Sequence, residues 1–148
     1  SQNKIALTLR LYEEFESVER NELRVEANKK LKEFRSGSNR LKHHQIKGEH
    51  PREYPKIHQL FHFYERIAIL YSGGYLEENL FSETLKRHFL SFYKECLREL
   101  IADSFDGVEY KEEDVHWVAP VKKLGERLLK EEAKKKFNFL NILNIKKS

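Results

Sequence analysis

The chain has 148 residues, 39% hydrophobic, 12% aromatic and 35% charged, with a formal net charge of +4. The aromatic share excludes a disordered chain, and no apolar run approaches the ~18 residues of a spanning helix, which excludes an integral membrane segment. Six glycines and three prolines leave little turn material for an all-β fold, and the single cysteine, Cys96, excludes a disulfide framework or a Cys-rich zinc site.

Residues 4–15 open the chain with two overlapping patterns. Ile5, Leu7, Leu9 and Leu11 alternate as in a strand, while Leu7, Leu11 and Phe15 keep helical spacing. No partner strand exists elsewhere, so helix is the expectation. Ser17 suits the N-cap of a second helix over 18–35, whose stripe is Leu23, Ala27, Leu31 and Phe34. Residues 36–55 contain Gly37, Gly48, Pro51 and Pro55 and read as a long functional or mobile linker. Residues 56–72 carry Ile57, Leu60, Phe61, Tyr64, Ile67, Ala68 and Tyr71 on one stripe, widened by Phe63, Ile69 and Leu70. That predicts a central helix ended by Gly73-Gly74. A second long helix over about 77–103, with Leu85, Phe89, Phe92, Cys96 and Leu100 on one face, should pair with it antiparallel. Residues 104–114 read as a surface connection. Val115, Trp117 and Val118 then cap the core, and Pro120 opens a last helix with Val121, Leu124 and Leu128 inward. The fold class is therefore all-α, an irregular bundle of about five helices. Residues 1–136 form one domain, and 137–148 form an apolar tail, docked or partner-binding.

The central run 54–100 resembles an uncharacterised family of small helical bacterial and phage proteins, known only as a domain of unknown function. The matching features are Phe63-Tyr64-Glu65, Gly73-Gly74, Leu76-Glu77-Glu78-Asn79-Leu80 and Phe92-Tyr93, together with a helix after Ser17 carrying Arg20 and Arg24. The resemblance covers about 10–100 and implies a fold without an activity. It also implies that a transmembrane helix often precedes such a domain. The chain contains no Met. Either the initiator was removed ahead of Ser1 or the native start lies upstream, where a targeting or anchoring segment would sit.

Charge is unevenly spread. Residues 35–58 carry six basic and two acidic groups, net +4; residues 59–119 carry six and twelve, net −6; residues 120–148 carry nine and three, net +6. An acidic centre between two basic patches differs from a uniformly basic nucleic-acid binder.

Candidate chemistry is sparse, and no cofactor is assigned. His58 and His62 stand at i, i+4 with Glu65 three residues on, a helical spacing that can hold a divalent metal. The zincin glutamate is missing and a polar helix edge accounts for the pattern, so no metal is assigned. Arg52 and His58 are spaced as in HEPN-type ribonucleases, which are also small helical bundles. The resemblance implies that Arg52 stabilises phosphate charge and His58 transfers a proton. Pro55 lies between them, and Arg52 falls in the linker rather than on the helix. Arg40, Lys42, His43, His44 and Lys47 form a basic stretch able to grip phosphates, without the interleaved aromatics that stack bases. Cys96 is a small core residue. The tail carries Phe137, Phe139, Leu140, Ile142, Leu143 and Ile145 between lysines, with Asn138, Asn141 and Asn144 interspersed. Such a segment docks on its own bundle, on a partner or on an anionic membrane.

The function expected is a non-enzymatic helical interaction module, a bacterial or phage accessory protein that binds another protein or itself, through the tail and the 36–53 stretch. The alternatives are a HEPN-like ribonuclease using Arg52 and His58, or a non-catalytic nucleic-acid binder. Contact with a membrane surface would run through the tail or an upstream segment. The expected location is the cytoplasm, with a membrane tether if such a segment exists.

Overall fold

A computed structural model describes residues 1–38, 40–105 and 115–147, and every regular element among them is helical. The order is α1 Gln2–Glu16, α2 Val18–Arg35, α3 His43–Glu49, α4 Tyr54–Ser72, α5 Glu78–Glu83, α6 Leu85–Phe92, α7 Arg98–Phe105 and α8 Val118–Lys147, with a π-helical turn, Tyr93–Leu97, joining α6 to α7. The fold class is thus an all-α irregular bundle. The ambiguous first segment is helical, with Leu11 and Phe15 buried. No helix among the described residues is long and apolar enough to cross a membrane.

Local chemistry sets the helix ends. Ser17 Oγ accepts the Arg20 N–H at 3.3 Å, starting α2 one residue after α1 ends. At the end of α4 the Gly74 N–H reaches Tyr71 O and the Tyr75 N–H reaches Leu70 O, both at 3.0 Å. This paired closure requires a left-handed residue, and Gly74 supplies it at φ +77°. Glu77 caps α5, its carboxylate accepting the Leu80 N–H at 2.6 Å.

The core follows the stripes. Ile57, Leu60, Phe61, Tyr64, Ile67, Ala68 and Tyr71 of α4 are buried, as are Val121, Leu124 and Leu128 of α8. Ile69 departs from its expected place and is 52% exposed. The backbone of α4 lies closest to α2 and α8. Its pairing with the 85–105 stretch runs through rings, Tyr64 stacking on Phe92 at 4.8 Å and meeting Phe89 at 5.7 Å. Trp117 and Val118 are fully buried and Val115 nearly so, as the expected cap over the core. Most of the 104–114 connection lies outside the described residues.

Two expectations change. The 36–55 linker contains α3, a helix that carries Gly48 within it. The anchors of α3 are distant in sequence: Ile46 is buried, the His43 N–H donates to Ser104 Oγ at 2.9 Å, and the Leu41 N–H reaches Phe34 O at 3.0 Å. The 77–103 helix is interrupted at Thr84, whose φ of −115° and ψ of −74° separate α5 from α6, and again by the π-turn. The π-turn places Tyr93 and Leu97 in the core beside Cys96.

Arg35 ties α2 to α7. Its side chain is 6% exposed, and its guanidinium holds Asp103 Oδ2 at 2.5 Å and Leu41 O at 3.2 Å. The Arg35 hydrogen bond keeps the Asp103 carboxyl below its usual range. A depressed native pKa adds stability above the unfolded value, near 4, which is lost as pH falls through the native value. The urea midpoint should therefore drop on acidification from pH 5 to pH 3, and Asp103→Asn should flatten that dependence while costing about 1 kcal/mol at pH 7. Because Asp103 is 41% exposed, solvent screening keeps the effect that small. An unchanged acid profile in the variant would remove the ion pair from this role.

Candidate functional site

Two surfaces stand out, the far end of α8 and a line of histidines on α4. At 1.5 Å per residue the 30-residue α8 is about 45 Å long. Its first half packs in the core. Around its middle Lys94 pairs with Glu132, and Lys135 lines a shallow groove with Lys86 and Arg87. Beyond Lys135 the helix continues with every side chain exposed through Lys146. Phe137, Phe139, Leu140, Ile142, Leu143 and Ile145 are 38–74% exposed. Helical periodicity gathers Phe139, Leu140, Ile142 and Leu143 on one side, while Asn138, Asn141 and Asn144 recur every third residue on the other. Between strand and helix, the tail is helix.

The second surface is a hydrogen-bonded chain that runs outward from the core. His43 is 3% exposed, among Phe105, Phe61 and Trp117 at ring distances of 5.1, 6.3 and 6.2 Å. Its Nε2 lies 3.0 Å from Tyr54 Oη, which lies 3.3 Å from His58 Nδ1. His58 Nε2 lies 2.8 Å from His62 Nε2, and His62 Nδ1 lies 2.9 Å from Glu65 Oε1. With His58 and His62 neutral, the carboxylate sets the proton pattern. Glu65 accepts from His62 Nδ1–H, so His62 Nε2 presents a lone pair to His58 Nε2–H. His58 Nδ1 then accepts from the Tyr54 hydroxyl, whose oxygen accepts from His43 Nε2–H. All donors in the chain point the same way, toward Glu65.

The other sequence candidates separate. His43 is withdrawn into the aromatic cluster and is not available to a phosphate at the surface. Arg40, Lys42 and His44 are exposed, and Arg40 holds Glu99 at 3.0 Å. The Lys42 backbone N–H donates to Gln45 Oε1 at 2.8 Å at the start of α3. Lys47 is also exposed. Arg52 lines a shallow groove with Glu26, Lys30 and Lys56. His58 is not among the residues of that groove and meets Tyr54 and His62 instead. Cys96 is buried, and burial pushes its thiol up to about 11, which keeps it protonated and unreactive at neutral pH. Among the described residues no group of three or more His, Cys, Asp or Glu side chains is arranged to hold a metal ion. Tyr54 was absent from the sequence candidates, although its i, i+4 spacing to His58 marks it as that histidine's neighbour.

This fold and these surfaces define a small helical domain with an exposed helical extension. The chain belongs to the family described as a domain of unknown function (DUF4760), whose family model matches residues 2–103. The matched stretch ends within α7, so α8 lies beyond it. No curated protein and no solved structure matches the chain.

Proposed function

We propose that this chain is a non-enzymatic interaction module whose contact element is the distal half of α8 and whose occupant is a second copy of the chain. The observation that carries the reading is the apolar face of Phe139, Leu140, Ile142 and Leu143 left exposed on one continuous helix, with Phe137 and Ile145 exposed on its other side. Contiguous apolar surface of this kind marks an interaction site. Burying even half of it would contribute on the order of 5 kcal/mol. Charge favours a like chain as occupant: residues 134–148 carry five lysines and no acid, against the net −6 of residues 59–119. The groove that Arg52 lines with Glu26, Lys30 and Lys56 does not include His58, so the ribonuclease alternative draws no support from it.

Light scattering across a concentration series tests the reading. The full chain should associate. The doubly substituted chain Leu140→Asp, Leu143→Asp, and a chain ending at Lys136, should be folded monomers by circular dichroism and mass. If the full chain is monomeric at every concentration, self-association is overturned. Binding to anionic vesicles would then assign the tail to a lipid surface. If the shortened chain unfolds, the tail belongs to the bundle and is not a contact element.

A further inference from the structure

The two outer histidines of the α4 chain carry an inference independent of the tail. We propose that His58 and His62 form a two-nitrogen site for a divalent transition metal that accepts square-planar or octahedral geometry, Cu2+ or Ni2+ in preference to tetrahedral Zn2+. His58 and His62 present their Nε2 atoms to each other, 2.8 Å apart. At metal–nitrogen distances near 2.05 Å, two cis nitrogens at a right angle are separated by about 2.9 Å, and two at the tetrahedral angle by about 3.3 Å. The observed separation matches the right angle, and a turn of the rings aims both lone pairs at one point.

Metal-binding histidines are held by partners on their second nitrogen, and both of these are. Glu65 Oε1 holds His62 Nδ1, and its side chain is only 16% exposed, so the carboxylate is set behind the ring as an orienting group rather than a ligand. Tyr54 Oη holds His58 Nδ1 from the buried side. The side chain of His62 is 46% exposed, which leaves the outward positions of the metal to water or an incoming ligand. The proton count closes. The single proton between the two Nε2 atoms belongs to His58; on binding it moves to His58 Nδ1 and is donated to Tyr54 Oη, whose own hydroxyl proton turns to His43 Nε2 as His43 shifts its proton to Nδ1. Neither histidine changes charge, and His62 already carries its proton toward Glu65. Arg66, one residue beyond Glu65, is neutralised by Glu14 at 2.5 Å.

The probe is Cu2+ added to the full chain at pH 7.5, read by electron paramagnetic resonance and titration calorimetry. One equivalent should bind with micromolar affinity, with hyperfine structure from two equatorial nitrogens. His58→Ala and His62→Ala should each reduce the pattern to one nitrogen and weaken binding at least tenfold. Glu65→Gln should weaken it about tenfold with both nitrogens retained, as expected of an orienting partner, and His44→Ala should leave it unchanged. Circular dichroism confirms folding of each variant. Affinity that survives the double substitution of His58 and His62, a four-nitrogen pattern characteristic of the chain terminus, or no binding below 1 mM would each overturn the site.

Discussion

Replacing Trp117 with alanine lowers the unfolding free energy by about 4 kcal/mol. The residue is fully buried just before α8, its ring stacked on Phe61 at 4.2 Å and edge-on to Phe105 at 6.2 Å. Truncation removes the largest buried side chain from the junction of α4, α7 and α8, three elements too constrained by their other contacts to close the hole. The loss combines transfer free energy with the cost of the cavity. A domain of this size has only 5–15 kcal/mol in total, so the variant should be partly unfolded at 37 °C. Trp117→Phe separates packing from polarity. The indole Nε1 is buried without a hydrogen-bond partner among the described residues, an arrangement that disfavours tryptophan. Phenylalanine keeps a ring against Phe61 and removes that donor, so its cost should be about 1 kcal/mol. Urea unfolding of the three proteins decides the matter. Equal losses for alanine and phenylalanine would mean that the stacked ring is not what holds this junction.

Gly125→Val should destabilise by about 4 kcal/mol, and Gly125→Ala by about 2 kcal/mol, although alanine is the better helix former by about 1 kcal/mol. Gly125 faces Tyr93, and a Cβ there would stand 2.5–2.6 Å from three ring carbons. The ring has no room to retreat. Tyr93 is 1% exposed, stands in the π-turn, and donates from its hydroxyl to Glu126 Oε2 at 2.7 Å. Burial, together with that hydrogen bond, pushes the Tyr93 phenol above its ordinary value, so the hydroxyl stays a donor throughout the neutral range. The added carbon must therefore push α8 away from the π-turn. A double-mutant cycle with Tyr93→Leu tests the mechanism: the coupling between positions 93 and 125 should exceed 1 kcal/mol, with the second substitution relieving the first. Strict additivity would place the cost elsewhere.

These two sites show where the sequence was readable and where it was not. Ser17, Gly73-Gly74 and the stripe through Ile57, Phe61 and Tyr64 are local signals, and each works in the structure as its spacing implies. The stripe of the 77–103 stretch was also right, since Leu85, Phe89, Phe92, Cys96 and Leu100 are all buried. Its continuity was not. A π-turn adds one residue to the winding without changing the kind of residue used, so nothing in the composition announces it. Helix α3 escaped notice because it is seven residues long, contains Gly48 and is anchored at Phe34 and Ser104, distant in sequence. At the candidate sites, the His58–His62–Glu65 spacing was plain. The distinction between ligand and orienting group depended on which nitrogen faces which neighbour, and that only coordinates supply. Charge alone grouped His43 with Arg40, Lys42, His44 and Lys47. Burial removes it from that group, because an imidazole among Phe61, Phe105 and Trp117 is a core residue.

The continuity of α8 gives its exposed end a borrowed conformation. A peptide of about a dozen residues pays the full entropic penalty of starting its first turn, and in water it stays mostly coil. Joined to a turn already immobilised by Val121, Leu124 and Leu128, the same residues need only lengthen an existing helix. Order in 137–146 therefore depends on the folding of a core in which those side chains are not buried. The exposed apolar end is presented in rigid form only by a correctly folded body, and a chain that misfolds around Trp117 or Gly125 loses the shape of its outer surface along with its interior.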